Sequence, residues 1–137
     1  MTIGDNTLHL LNQAVRLLNK RTNETLQEFG LFHSQWSILY CLVNRGELSQ
    51  TEISRYLHVE RPTVTRTIRK LEENGWIERS KGIDKRENLI RLSETAEEKM
   101  PSIREKIQSF EIEQLDGIKG EELATVNKTL KKIMKEV

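Results

Sequence analysis

Apolar residues return at helical intervals along most of this chain. Leu8, Leu11, Val15 and Leu18 stand three or four apart and predict a first helix over residues 6–29, ending near Gly30. Trp36, Leu39, Tyr40 and Val43 mark a second helix, closed by Gly46. Next comes Ser49-Gln50-Thr51-Glu52. Ser at the cap and Glu three residues on satisfy each other's backbone donors, so a third helix starts there. Ile53, Tyr56 and Leu57 supply its apolar side. It is short, because Leu57-His58-Val59 leads to Pro62. Proline suits the first turn of a helix and keeps the residue before it out of helical geometry. The fourth helix therefore starts near Arg61-Pro62. Val64, Ile68 and Leu71 form its buried stripe, and Asn74-Gly75 ends it.

The period then changes. Trp76-Ile77-Glu78-Arg79 and Asn88-Leu89-Ile90-Arg91-Leu92 read as two short strands around a charged, Gly-containing turn, Lys81 to Arg86. Ser93 is placed to cap another helix, along which Met100, Ile103, Ile107 and Phe110 keep helical spacing. Pro101 inside that stretch removes a donor and should kink the helix or delay its start. After Gly117 and Gly120, the residues Leu123, Val126, Leu130, Ile133 and Val137 form a last helical stripe. The fold class expected is mainly α with a small β-hairpin wing.

At 137 residues the chain is read as a single domain, 1–137. No apolar run approaches a membrane span, and no basic region followed by an apolar stretch marks a signal peptide. One cysteine cannot form an intrachain disulfide, which fits a reducing, cytoplasmic setting. The net charge of +1 first argues against a polyanionic partner. Its distribution reverses that. Residues 61–86 carry eight basic and four acidic side chains, while the remainder carries 14 basic and 17 acidic ones. A basic middle lies between acidic ends, and such local asymmetry attracts polyanions.

A short capped helix, a tight turn, a basic helix and a charged hairpin describe a winged helix-turn-helix. With Val64, Ile68 and Leu71 facing the core, the opposite face of the fourth helix carries Pro62, Arg66 and Arg69, with Lys70 at its edge and Thr63 and Thr65 flanking. The N-terminal part of a recognition helix enters the major groove, where Arg pairs with guanine and Thr touches a thymine methyl or a phosphate. Helix spacing alone fits an ordinary solvated face as well; the hairpin that follows at once favours DNA. Glu73 lies outward at the far end, which suits entry by the N-terminal end. Asp84-Lys85-Arg86 stands at the hairpin tip, where an Arg can enter a narrow minor groove and Asp84 can brace it.

The run from Gln35-Trp36 to Leu92 resembles the multiple-antibiotic-resistance regulator (MarR) family of bacterial transcription factors. Thr65-Arg66, Leu71, Gly75-Trp76-Ile77-Glu78-Arg79 and Asp84-Lys85-Arg86 before Leu89-Ile90-Arg91-Leu92 carry the resemblance. It implies a DNA-binding lobe over 32–93 and a helical dimerisation region over 1–31 plus 94–137. It implies a homodimer on a pseudo-palindromic double-stranded operator, acting as a repressor and controlled by a small ligand, an oxidant or another signal. Pro62, Thr63, Thr65, Arg66 and Arg69 would face the major groove. Ser49, Gln50, Thr51, Lys70 and Lys81 would meet the backbone, and Asp84, Lys85 and Arg86 would form the wing contact. The wing is about one residue shorter than the commonest family form. Phe32 stands where the family often has a Ser or Thr cap, and Lys119-Gly120 replaces the last helix's usual capping Thr.

The terminal stripes argue for a dimer apart from the resemblance, because a winged helix already fills its own core. Other signals are weaker. Cys41 lies mid-helix and reads as a buried structural thiol rather than a sensor. Trp36 and Tyr40, one turn apart, read as core, with an effector pocket as the alternative. His9, His33 and His58 are scattered, so no metal site is expected; no cofactor is expected either. No nucleophile elbow or phosphate loop suggests an enzyme. The competing reading is a winged-helix protein-interaction module without sequence-specific DNA contact.

Overall fold

The computed structural model describes residues 3–81 and 88–135. The chain runs α1 (Ile3–Leu26), a 3-10 turn (Gln27–Phe29), α2 (His33–Arg45), β1 (Leu48–Ser49), α3 (Gln50–Leu57), α4 (Arg61–Glu73), β2 (Ile77–Lys81), β3 (Asn88–Leu92), α5 (Glu94–Gln114) and α6 (Gly120–Met134). It forms two compact units, one up to Ile107 and one from Gln108 onward.

The helix predicted over 6–29 tightens into a 3-10 turn at its end. Gly30 then takes a left-handed φ of 70°, and Leu31 N donates back to the Leu26 carbonyl at 3.3 Å. A side chain would strain that backbone, so glycine ends the helix here. The start of α2 has no hydroxyl cap at Phe32. Its amides are met instead by Gln35 Oε1, which accepts from Phe32 N at 2.9 Å, and by Asn23 Oδ1 of α1, which accepts from His33 N at 2.7 Å. A long-range amide thus does the work of the missing cap.

The core of the first unit gathers Leu26, Leu31, Ile38, Leu39, Leu42, Ile53, Val64, Ile68, Leu71, Ile77, Ile90 and Ile103, all buried. Two expectations about the core need correction. On α2 two apolar stripes adjoin, and the one facing α4 and β3 is buried: Ile38, Leu39 and Leu42, with Gln35 and Cys41. Tyr40 belongs to the neighbouring stripe and is 48% exposed, not core; Trp36 is half-buried. On α3, Tyr56 is also exposed, and the Arg45 guanidinium lies 4.0 Å from its ring centre.

The sheet has a third strand that the sequence pattern did not reveal. The order is β1-β3-β2, all antiparallel. Leu48 pairs with Ile90, and Arg79 pairs with Ile90 from the other side. A two-residue strand is too short to leave a period. β3 is central, and its Ile90 is fully buried.

Ser93 joins three elements. Its Oγ accepts from Ala96 N at 3.0 Å, as expected of a cap, and donates to the Gly75 carbonyl at 2.6 Å; its own N–H donates to the Trp76 carbonyl at 3.0 Å. The end of α4, the wing root and the start of α5 are therefore tied at one buried residue. Pro101 does not delay α5, which runs helical from Glu94 through it. Among the described residues, no helix is long and apolar enough to cross a membrane.

Ser93→Ala should lower stability by about 1–3 kcal/mol, since it removes a cap and strands a carbonyl acceptor. Thermal unfolding checks this, and an unchanged midpoint would deny Ser93 that role.

Candidate nucleic-acid interface

The turn between α3 and α4 is built from backbone bonds. Ser49 caps α3 as expected: Glu52 N donates to Ser49 Oγ at 3.2 Å, and Ser49 N donates to Glu52 Oε1 at 3.0 Å. At the other end His58 takes a left-handed φ of 55°, and Val59 N donates to the Ser54 carbonyl at 3.2 Å. Ser54 Oγ also donates to the Val59 carbonyl at 2.6 Å. A non-glycine residue in this conformation costs on the order of 1 kcal/mol, which the surrounding bonds and packing must offset. Glu60 is the extended cap and Arg61 is already helical, so α4 starts one residue earlier than the restriction on the residue before Pro62 predicts, with Pro62 still in its first turn.

The inner stripe of α4 sets its rotation. Val64, Ile68 and Leu71 are at most 1% exposed. Pro62, Arg66, Arg69 and Lys70 are consequently exposed, and Thr63 and Thr65 are half-buried at the flanks. Glu73 is exposed at the far end. Asn74-Gly75 ends the helix, with Trp76 N donating to the Leu71 carbonyl at 2.9 Å. That bond starts β2 and carries the chain toward the wing.

Polar side chains link the starts of α3 and α4. Thr65 Oγ1 lies 3.0 Å from Gln50 Oε1 and 2.9 Å from the Arg61 carbonyl, two acceptors for its single proton. Arg61 Nη1 donates to Thr51 Oγ1 at 2.8 Å, and Arg66 Nη2 lies 3.3 Å from Thr63 Oγ1. So Gln50, Thr51 and Thr65 come together with Arg61, while Thr63 and Arg66 meet each other along α4. Ser49 instead spends its hydroxyl on the helix cap. From the sequence, Arg61 marks a helix start and adds one charge among eight, without being singled out as a site residue; its place at the first position of α4 was the available signal.

Charge pairing divides the arginines. Arg79 is held by Glu72 at 3.1 Å, and Arg91 by Glu78 at 3.3 Å and Glu47 at 3.8 Å. Among the described residues, no carboxylate lies within ion-pair distance of Arg61, Arg66, Arg69 or Lys70. The Glu60 side chain makes no cap hydrogen bond at the start of α4 either. The outer face of α4 thus keeps its positive charge, while the cations at the sheet are neutralised from within. The Lys81 side chain and Asp84, Lys85 and Arg86 lie outside the described residues, so the wing tip adds nothing to this geometry.

A solvent-facing basic helix, packed behind a capped shorter helix and followed by a hairpin, is the arrangement of a winged helix-turn-helix. The MarR family profile matches residues 31–87. The chain is 49% identical to the uncharacterized HTH-type transcriptional regulator YwoH of Bacillus subtilis (strain 168) over 120 residues, 88% of each protein. The chain belongs to the MarR family. It is a MarR-family transcriptional regulator with a DNA-binding winged helix. Solved structures share the fold. A MarR/EmrR family transcriptional regulator from Acinetobacter sp. ADP1 is 25% identical with a TM-score of 0.88, covering 99% of this chain and 97% of that one. Reduced AbfR bound to DNA is 23% identical with a TM-score of 0.80, covering 97% of this chain and 91% of that one.

Within this MarR-family fold, Trp36 and Tyr40 meet with ring centres 5.9 Å apart and planes tilted by 49°. Cys41, on the buried side of the same helix, has no exposure. Burial pushes its thiol pKa up, with Arg45 opposing and Glu52 reinforcing the shift. The native state favours the neutral thiol, so its stability falls as pH rises past the ordinary thiol range. A thiol reagent at neutral pH should modify the unfolded chain quickly and the folded chain at a small fraction of that rate. Equal rates in the two states would contradict the buried setting.

Proposed function

We propose that this MarR-family regulator is a homodimeric repressor that binds a pseudo-palindromic double-stranded operator and is released by a small ligand or another signal. The observation that carries the DNA reading is the outer face of α4, where Arg66 and Arg69 have no carboxylate partner among the described residues. On this reading Pro62, Thr63, Thr65, Arg66 and Arg69 meet the major groove. Ser49, Gln50, Thr51, Lys70 and Lys81 meet the backbone, and Arg86 enters the minor groove beside Lys85 with Asp84 as its brace. AbfR, which shares the fold, was solved bound to DNA, and this supports the DNA reading. The setting proposed is the cytoplasm, where the operator is.

The dimer reading draws on two apolar faces. Between residues 6 and 21, α1 has no buried side chain, and Leu8, Val15 and Leu18 are exposed, with Leu10 and Leu17 beside them. On α6 no residue is buried, and Val126 and Ile133 are exposed. Apolar faces of this extent are covered in solution, and two-fold pairing is the commonest cover. Two recognition helices roughly 34 Å apart would then read successive turns of one DNA face. A ligand releases such a dimer by favouring a spacing of the two helices that no longer matches the half-sites. The exposed Tyr40 and its partner Trp36 are the aromatic surface proposed to receive it.

Arg66→Ala should weaken binding to a selected duplex by about 1–3 kcal/mol and relax preference at particular base pairs. Selection from genomic DNA with the purified protein checks this; recovery of no motif by the unaltered protein would favour a protein-interaction module instead. Sedimentation at micromolar concentration should give a dimer, and a 16.0 kDa species would overturn the paired-helix reading.

A further inference from the structure

Arg61 is the first residue of α4 and is exposed. Its Nη1 donates to Oγ1 of Thr51, itself exposed in the first turn of α3, at 2.8 Å. The parallel link from Thr65 to Gln50, 3.0 Å, fastens the same two helix starts together. Arg61 has no carboxylate partner among the described residues. A hydroxyl restrains a guanidinium without neutralising it, unlike the carboxylate of Glu72 on Arg79. One of five N–H donors is used, so the rest stay available to an anion. Thr51 Oγ1, as the acceptor, keeps its own proton to donate. A charged fork and a hydroxyl donor therefore stand side by side where the two helices begin, beside the face that carries Arg66.

On the DNA-binding reading given above, we propose that Arg61 contacts a backbone phosphate and that Thr51, which meets the same phosphate, also holds Arg61 in place for that contact. A phosphate is the anion that fits. Its tetrahedral oxygens accept from a guanidinium fork and a neighbouring hydroxyl at once, and the start of the first helix of this motif lies toward the backbone rather than the base edges. Arg61 then contributes affinity on every sequence and discrimination on none, in contrast to Arg66. Holding the side chain in place before DNA arrives also reduces the rotamer entropy lost on binding.

The test is fluorescence anisotropy across a salt series with the full chain, using a duplex recovered by genomic selection and a scrambled duplex of equal length. Arg61→Gln should weaken binding to both by the same factor, about tenfold. It should also lower the salt slope by about 0.9 per bound protomer and leave the selected motif unchanged. Arg61→Lys should keep the slope. Thr51→Val, which replaces the hydroxyl with a methyl, should weaken both duplexes about threefold with the slope kept, and Thr51→Ser should restore binding. All four should melt like the unaltered protein. An unmoved slope in Arg61→Gln, a changed motif, or a lowered melting midpoint overturns the assignment. Failure of the unaltered protein to bind either duplex overturns the DNA-binding reading itself.

Discussion

Burial of one stripe on α4 constrains everything that faces outward from it. Val64, Ile68 and Leu71 are removed from water almost completely, each contributing on the order of 1.5–3 kcal/mol. That burial leaves α4 only one rotation about its axis. Turning the helix by a residue's worth, 100°, would expose this stripe and bring polar and charged side chains inward, Thr65 and Glu72 one way or Thr63 and Lys70 the other, and burying such a charge without a partner costs several kcal/mol. The exposed line of Pro62, Arg66 and Arg69 is thus a consequence of core packing. The same core holds Ile90 of β3 and Ile53 of α3, so the wing root and the shorter helix are indexed to that rotation.

Polar groups do the finer positioning, and they act mostly at helix ends. Asn23 of α1 serves the start of α2, ten residues away. Ser93 binds the Gly75 carbonyl and caps α5 together. Gln50 and Thr51 of α3 meet Thr65 and Arg61 of α4. Backbone donors and acceptors at helix ends have no partner within the helix, so each is a natural attachment point for a neighbouring element. Charges follow a different division. Carboxylates quench Arg79 and Arg91 at the sheet, while hydroxyls alone meet Arg61 and Arg66. A net charge of +1 can therefore coexist with a strongly positive recognition face.

Much of this organisation is legible from residue order. The α4 stripe, its start near Pro62, its end at Asn74-Gly75, the Ser49–Glu52 box and the Ser93 cap all rest on interactions within a few residues, and the structure has each of them. The basic outer face follows from the same periodicity. The misreadings share one cause. Tyr40 and Tyr56 have helical spacing, yet only the position of α4 and β3 decides which of two adjoining apolar stripes is buried. The strand at Leu48–Ser49 exists only because β3 lies beside it.

The sequence by itself determined the helices, the two longer strands, most of their ends and the polar side of the recognition helix, because those depend on local hydrogen bonds and on period. Tertiary structure alone decided which helix starts are joined, since Arg61 and Thr51 stand ten residues apart and meet only across the turn. It also decided which arginines are paired with a carboxylate. Electrostatic pairing depends on distance in space, and the chain's order does not contain that distance.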